Sequence, residues 1–469
     1  MFTSINPATG EPGETFEELD GDGVEAALVR ADAAFASWRV SPVEQRVALL
    51  NAIADRFEAN KAHLAETATR EMGKTLASAV AEVEKCVAGF RYYAEHGPDF
   101  LKGEEIALPT GRVVTHWLPL GPVLAIMPWN FPYWQVVRWL APTILAGNVG
   151  LLKHASLTQG VAALIQQMVS SAGAPDGLFQ NLPIKSDKVS RIIADKRVVA
   201  VTLTGSEGAG AKVAEAAGRA LKKVVLELGG SDPFVVMPSA DLDAAVKTAV
   251  KARIQNAGQS CICAKRMIVH TQVYDAFAEK FVAAMEAVKI GDPMKDGVEM
   301  GPLSSVEQRD TVLEQLERAV AAGAVLHGGE KIEREGAWMR AGVLTEVDPE
   351  AEFAKEEIFG PVAMLFRAES LDDAIRLAND VPYGLGSSVW TNDADEQARL
   401  VRDIAAGMTA VNQMLASVPG APFGGVKLSG HGRELGPWGL HEFMNLKAEM
   451  RGGHREAGVV REALALGVR

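Results

Sequence analysis

Apolar residues recur at helical spacing from residue 24 to about 96, with Val47, Leu50, Ile53 and Phe57 on one stripe, so this stretch is predicted as packed helices. Ser41-Pro42-Val43-Glu44 has the form of a capping box with proline at the first helical position, which predicts a helix start there. Between 103 and 120 the pattern turns strand-like: Val113, Val114, His116, Trp117 and Leu118 lie between the turn signals Pro109-Thr110-Gly111 and Pro119-Leu120-Gly121. From 122 to 229 short apolar runs alternate with helical segments, and strands at 123–127, 149–153, 178–182, 198–204 and 224–228 imply a mostly parallel sheet. Helices are expected near 240–255 and 273–288. A second alternation of strand and helix from 322 to about 412 predicts a second α/β unit, and no internal repeat or low-complexity tract interrupts it.

Composition narrows the partners. The chain has 469 residues, 48% of them hydrophobic, enough for a large core in two or three domains. A net charge of −13 argues against nucleic acid or an anionic membrane surface, since a strongly acidic protein is repelled by both. The three cysteines, Cys86, Cys261 and Cys263, are too few and too unevenly spaced for a disulfide framework or a metal cluster, so no metal is expected. The start lacks the basic and apolar blocks of a signal peptide, and Pro128 and Pro132 interrupt the most apolar run, so a cytoplasmic protein is expected.

Open parallel sheets bind ligands beyond the carboxyl ends of their strands, so the residues just after each predicted strand are the candidates for chemistry. Pro128-Trp129-Asn130-Phe131-Pro132 is a turn stiffened by two prolines that presents an amide. Lys153-His154-Ala155-Ser156 offers a cation and a hydroxyl suited to ribose or phosphate. Thr204-Gly205-Ser206 opens a helix whose first amides suit a pyrophosphate, although the glycines do not keep the G-x-G-x-x-G order. Glu227, flanked by leucines and followed by Gly229-Gly230, reads as a partly buried carboxylate with a raised pKa, as a general base requires, against a strand-end carboxylate in a salt bridge. Cys261, in a Gly-Gln-Ser turn rather than an apolar helix, is placed to turn its thiol to a ligand, against the alternative of a small buried hydrophobe.

Taken together in this order, Pro128-Trp-Asn-Phe-Pro132, Gly205-Ser206 with Gly210, Glu227-Leu-Gly-Gly230, Gly258-Gln-Ser-Cys261, Glu357-Ile-Phe-Gly-Pro361 and Pro422-Phe-Gly-Gly425 resemble the aldehyde dehydrogenase superfamily. The resemblance runs from Asn6 to about Leu446. It implies an α/β fold with two Rossmann-like domains and a small β oligomerisation region: residues 1–102 and 120–229 binding the dinucleotide, 230–430 catalytic, and 103–119 with 431–469 joining subunits into a homodimer or homotetramer. Cys261 matches the nucleophile, Asn130 the oxyanion donor and Glu227 the base that releases a free acid; members that pass acyl groups to coenzyme A commonly lack that glutamate. Trp129, Lys153, Ser156, Gly205, Ser206, Glu357 and Phe359 match the cofactor site. Ser156 stands where strongly NAD-preferring members carry glutamate, so NADP is expected, with NAD as a poorer substitute.

For the substrate, the resemblance is to bacterial succinate-semialdehyde dehydrogenases. Arg138, eight residues or just over two helical turns beyond Asn130, matches an arginine for the distal carboxylate, with Ser417 assisting and Phe423 beside them. The second carboxylate-binding arginine of that group is Gln255 here, which leaves glutarate semialdehyde or another short aliphatic aldehyde as alternatives. Cys263, two residues beyond the nucleophile, suggests a reversible Cys261–Cys263 disulfide, against simple packing; Cys86 is expected to be inert. A cofactor-free thiol hydrolase is the alternative from another class, and it would need a histidine beside Cys261.

Overall fold

The computed structural model describes residues 1–452; the part of the expected oligomerisation region at 453–469 lies outside the described residues. Four helices, α1 (Gly21–Trp38), α2 (Val43–Ala59), α3 (Lys61–Met72) and α4 (Leu76–Phe100), account for the helical pattern at the start. The predicted capping box does not form. Pro42 occupies the cap position with no side-chain bond, because Arg46 is buried and engages the Ser41 hydroxyl at 3.0 Å while Glu44 is exposed.

Strands β1 (Glu105–Leu108) and β2 (Gly111–Pro119) lead into β3 (Pro122–Met127), α5 (Trp134–Ala146), β4 (Val149–His154), β5 (Phe179–Asn181), β6 (Ala200–Thr204), α6 (Glu207–Arg219) and β7 (Lys223–Glu227). The second unit holds β8 (Asp232–Val236), α7 (Leu242–Ile254), β9 (Ala264–His270), β10 (Val325–Gly328), β11 (Gly342–Thr345), β12 (Val362–Ala368), β13 (Gly386–Trp390) and β14 (Met408–Val411), and the chain returns through β15 (Gly430–His431) and β16 (Met444–Gly452). The first sheet runs β15-β7-β6-β3-β4-β5, parallel except for β15. The second runs β10-β11-β12-β9-β8-β13-β14, parallel except for β10. A third, antiparallel sheet is β16-β2-β1.

Each parallel sheet has its own core, and the apolar stripes of α1 to α4 belong to the first. His431 pairs with Leu226 at the edge of the first sheet, and Leu435, Leu440 and Phe443 pack into that sheet's core. Of the described residues beyond 430, the strand Met444–Gly452 is thus what joins β1 and β2. The carboxyl ends of β3, β4, β6 and β7 share one edge of the first sheet, where parallel strands place their ligand-binding loops.

Candidate active site

The segment between α7 and β9 is backbone under strain. Asn256 and Ala257 adopt left-handed conformations (φ 54° and 53°), each disfavoured for an L-residue by about 1–2 kcal/mol, and Gly258 comes next at φ 75°. Side chains hold the turn in place. Asn256 Nδ2 donates to the carbonyls of Asn130 (2.7 Å) and Gln259 (3.2 Å), and Gln259 Nε2 donates to the Asn256 carbonyl at 3.0 Å. Only glycine fits at 258, where a Cβ would lie 2.1 Å from the Gly360 carbonyl oxygen. Cys261 emerges from this turn as a free, half-buried thiol. Burial pushes its pKa up to about 12, opposed by the cations Arg138 and Lys265.

Asn130 sits in the turn from β3 to α5, and two residues that the sequence pattern does not reveal fix that turn. Glu82 of α4 accepts hydrogen bonds from the backbone amides of Tyr133 and Trp134, both at 2.9 Å, which anchors a carboxylate at the start of α5. Its other oxygen pairs with buried Lys74, whose ammonium lies 4.3 Å from the centre of the Phe131 ring. Asn130 Nδ2 donates to the Gln259 carbonyl at 3.1 Å; an amide nitrogen carries two protons, so one remains for a substrate oxygen. Asn130 and Cys261 line one cavity of about 250 Å³. Asn130→Ala is expected to lower kcat by about 100-fold with little change in melting temperature, as measured by steady-state kinetics and thermal unfolding.

Glu227 ends β7 and is almost wholly buried, with neither carboxylate oxygen hydrogen-bonded among the described residues. It does not line the cavity that holds Cys261, although Leu228 and Gly229 next to it do. Its carboxylate points toward the Pro422-Phe-Gly-Gly turn, where a Cβ at Gly424 would meet Oε1 at 2.8 Å. Burial and the neighbouring Glu434 hold its pKa well above the usual carboxylate range, while Arg138 and Arg433 oppose them. A base must lose its proton before it acts, and so must the Cys261 thiol. Burial holds both groups above their ordinary pKa range, so turnover is expected to climb from neutral into alkaline pH, which a pH–rate profile would record.

The same cavity is lined by Gly205 and Ser206 at the start of α6, where Ser206 caps the helix by accepting from Ala209 N at 3.4 Å. Glu357 lines the same cavity; its Oε1 lies 3.1 Å from the ammonium of fully buried Lys265. Gly229 makes room for it, since a Cβ there would come 2.6 Å from Glu357 Oε2. Lys265, also hidden from the sequence pattern, donates to the carbonyls of Ser260 and Cys261, both at 2.8 Å, and so ties the nucleophile's turn to Glu357. Trp129 and Phe359 meet edge to face, with ring centres 5.8 Å apart. Lys153 lies near the end of β4 and Ser156 just beyond it, both outside the lining of this cavity; Ser156 is exposed, and Lys153 has no ion-pair partner among the described residues.

Arg138, expected to hold the distal carboxylate of the substrate, already has partners within the chain. Its Nε pairs with the buried carboxylate of Glu434, Nη2 donates to Thr204 Oγ1 at 3.2 Å, and the group rests 4.5 Å from the centre of the Phe423 ring. It does not line the Cys261 cavity. Ser417 is drawn to the same region, accepting from Trp134 Nε1 at 2.8 Å. Gln255, Asn256 and Met414 face a separate groove of about 790 Å³, whose lining includes neither Cys261 nor Asn130. Cys263 is buried, with its thiol donating to the Gln255 carbonyl at 3.6 Å, a bond that a Cys261–Cys263 bridge would break. Cys86 is fully buried on α4.

Sequence comparison matches the Aldehyde dehydrogenase family over residues 1–448. Succinate-semialdehyde dehydrogenase (NADP(+)) 1 of Mycobacterium tuberculosis is 50% identical over 450 residues, which cover 95% of this chain and 98% of that protein. The succinate-semialdehyde dehydrogenase (NADP(+)) of Mycobacterium leprae is 48% identical, with the same coverage. Among solved structures, succinic semialdehyde dehydrogenase from Streptococcus pyogenes in complex with NADP+ superposes with a TM-score of 0.95 at 37% identity, covering 97% of this chain and all (100%) of that one. Succinate-semialdehyde dehydrogenase from Burkholderia pseudomallei gives 0.94 at 35% identity, covering 96% of this chain and 94% of that one.

Proposed function

Since the chain belongs to the aldehyde dehydrogenase family, we propose that it oxidises succinate semialdehyde to succinate with NADP as the hydride acceptor. The observation that carries this reading is one cavity lined by a thiol, an amide donor and a ribose-competent carboxylate, Cys261, Asn130 and Glu357. Half-identity over nearly the whole length to proteins named for that substrate and cofactor supports both choices.

The residues fit a nicotinamide dinucleotide. Glu357 is held at the cavity wall with space beside Gly229, ready to accept from ribose hydroxyls, and the first turn of α6 offers amides to a pyrophosphate. Lys153, without an ion-pair partner among the described residues, and Ser156 suit a 2′-phosphate that a carboxylate at 156 would repel. When bound, the cofactor supplies the carbon that accepts hydride. Cys261 as thiolate adds to the aldehyde carbonyl, and Asn130 Nδ2 with the Cys261 backbone N–H stabilises the oxyanion. Loss of hydride leaves an acyl thioester on Cys261. Glu227, turned from its buried position, then takes a proton from the water that hydrolyses it. A histidine-assisted hydrolase receives no support, since no histidine among the described residues lines the cavity.

Ile106, Leu108, Leu118, Leu446 and Met450 are exposed on the three-stranded sheet, which supports a homodimer or homotetramer built on that sheet. The three free thiols fit a cytoplasmic enzyme. The reading is tested by measuring NADPH absorbance with NADP or NAD against succinate semialdehyde, glutarate semialdehyde and uncharged aldehydes of similar length. Highest kcat/KM for succinate semialdehyde with NADP is expected; a neutral aldehyde or NAD as the better partner would overturn it. Ser156→Glu is expected to move the preference toward NAD by at least about tenfold in the kcat/KM ratio.

A further inference from the structure

Helices α4 and α5 bring together a cation that the reaction scheme leaves unused. The ammonium of Lys85 lies 4.4 Å from the centre of the Trp134 ring. That indole donates to Ser417 Oγ at 2.8 Å, and Arg138, one turn further along α5, stacks on Phe423. Two cations and a hydroxyl therefore cluster about Trp134 and the next turn of α5.

The two cations differ in what balances them. Arg138 is paired with Glu434. No ion pair among the described residues includes Lys85, and the carboxylate one turn before it, Glu82, is already held by Lys74 and two backbone amides. The ammonium is half-buried without a counter-ion among the described residues, and burial, reinforced by Arg138, lowers its pKa from 10.5 to about 8. The same Arg138 charge acts on the Cys261 thiol, so this cluster lies within electrostatic reach of the reacting centre. An arrangement of this kind is completed by an anion, and the substrate proposed above carries one at the end remote from the aldehyde.

We propose that Lys85 determines substrate specificity by binding the distal carboxylate of the aldehyde beside the Ser417 hydroxyl. The proposal rests on the substrate reading above and adds a residue to it. Lys85→Met, Lys85→Arg and the parent enzyme would be assayed on succinate semialdehyde and on butanal, which has the same chain length without the carboxylate. For Lys85→Met, kcat/KM on succinate semialdehyde should fall about 30-fold or more, chiefly through KM, while butanal changes by less than about threefold. Lys85→Arg should restore most of the loss. The ratio of the two substrates is independent of how much of a variant is folded, so partial misfolding does not blur the result. Equal losses on both aldehydes, or an unchanged ratio, would overturn the proposal while leaving the substrate reading intact. A parent enzyme with no preference for succinate semialdehyde over butanal would overturn both.

Discussion

Replacing Cys261 with alanine is expected to lower aldehyde oxidation by about 10⁴-fold or more while leaving NADP binding intact. Every covalent step passes through that sulfur, and no other described residue offers a substitute: Cys263 is buried and turned toward the Gln255 carbonyl, and Cys86 lies inside α4. The fold should hardly notice. The turn that presents Cys261 is fixed by Asn256, Gln259 and Lys265 through backbone carbonyls, none of which needs the sulfur. A stability change within about 1 kcal/mol is therefore expected, checked by thermal unfolding beside the kinetic assay and a titration with NADP. Substantial residual turnover would move the chemistry to another group.

Glu227→Gln should separate the two halves of the reaction. Glutamine keeps the shape but cannot take a proton from water, so steady-state turnover is expected to fall about 10²–10⁴-fold while the first equivalent of NADPH still appears as a burst. The variant should be at least as stable as the parent at alkaline pH. A buried acid with a raised pKa holds a proton in the folded state that the unfolded chain has already released, so stability is lost as pH rises from the ordinary carboxylate range toward the folded pKa. Glutamine removes that dependence, and with it the repulsion from Glu434. Stopped-flow absorbance and unfolding at two pH values check both halves. Loss of burst and turnover together would mean that Glu227 acts before the thioester forms.

Much of the fold was legible because its strands are short apolar runs bounded by turn residues, and a parallel sheet buries such runs on both faces. The ligand-facing loops were legible for a related reason: prolines around Asn130 and glycines after Glu227 mark places where ordinary side chains do not fit. Those glycines have a steric cause. Gly229 yields space to Glu357, and a Cβ at Gly230 would lie 2.7 Å from the Cys261 carbonyl oxygen. What stayed hidden depends on partners remote in sequence. Glu82 secures the Asn130 turn from another helix, Lys265 reaches Glu357 across the second domain, and Arg138 is claimed by Glu434 almost three hundred residues later. Periodicity along one chain carries no record of such pairs. The same cause defeated the capping box, where buried Arg46 took the Ser41 hydroxyl.

The most direct test of succinyl transfer through Cys261 is the mass of the trapped intermediate. Glu227→Gln protein mixed with succinate semialdehyde and NADP, quenched in acid and digested, should carry one succinyl group on the peptide containing Cys261, and none when NADP is omitted. A succinyl group on another residue, or no covalent adduct despite an NADPH burst, would contradict the mechanism.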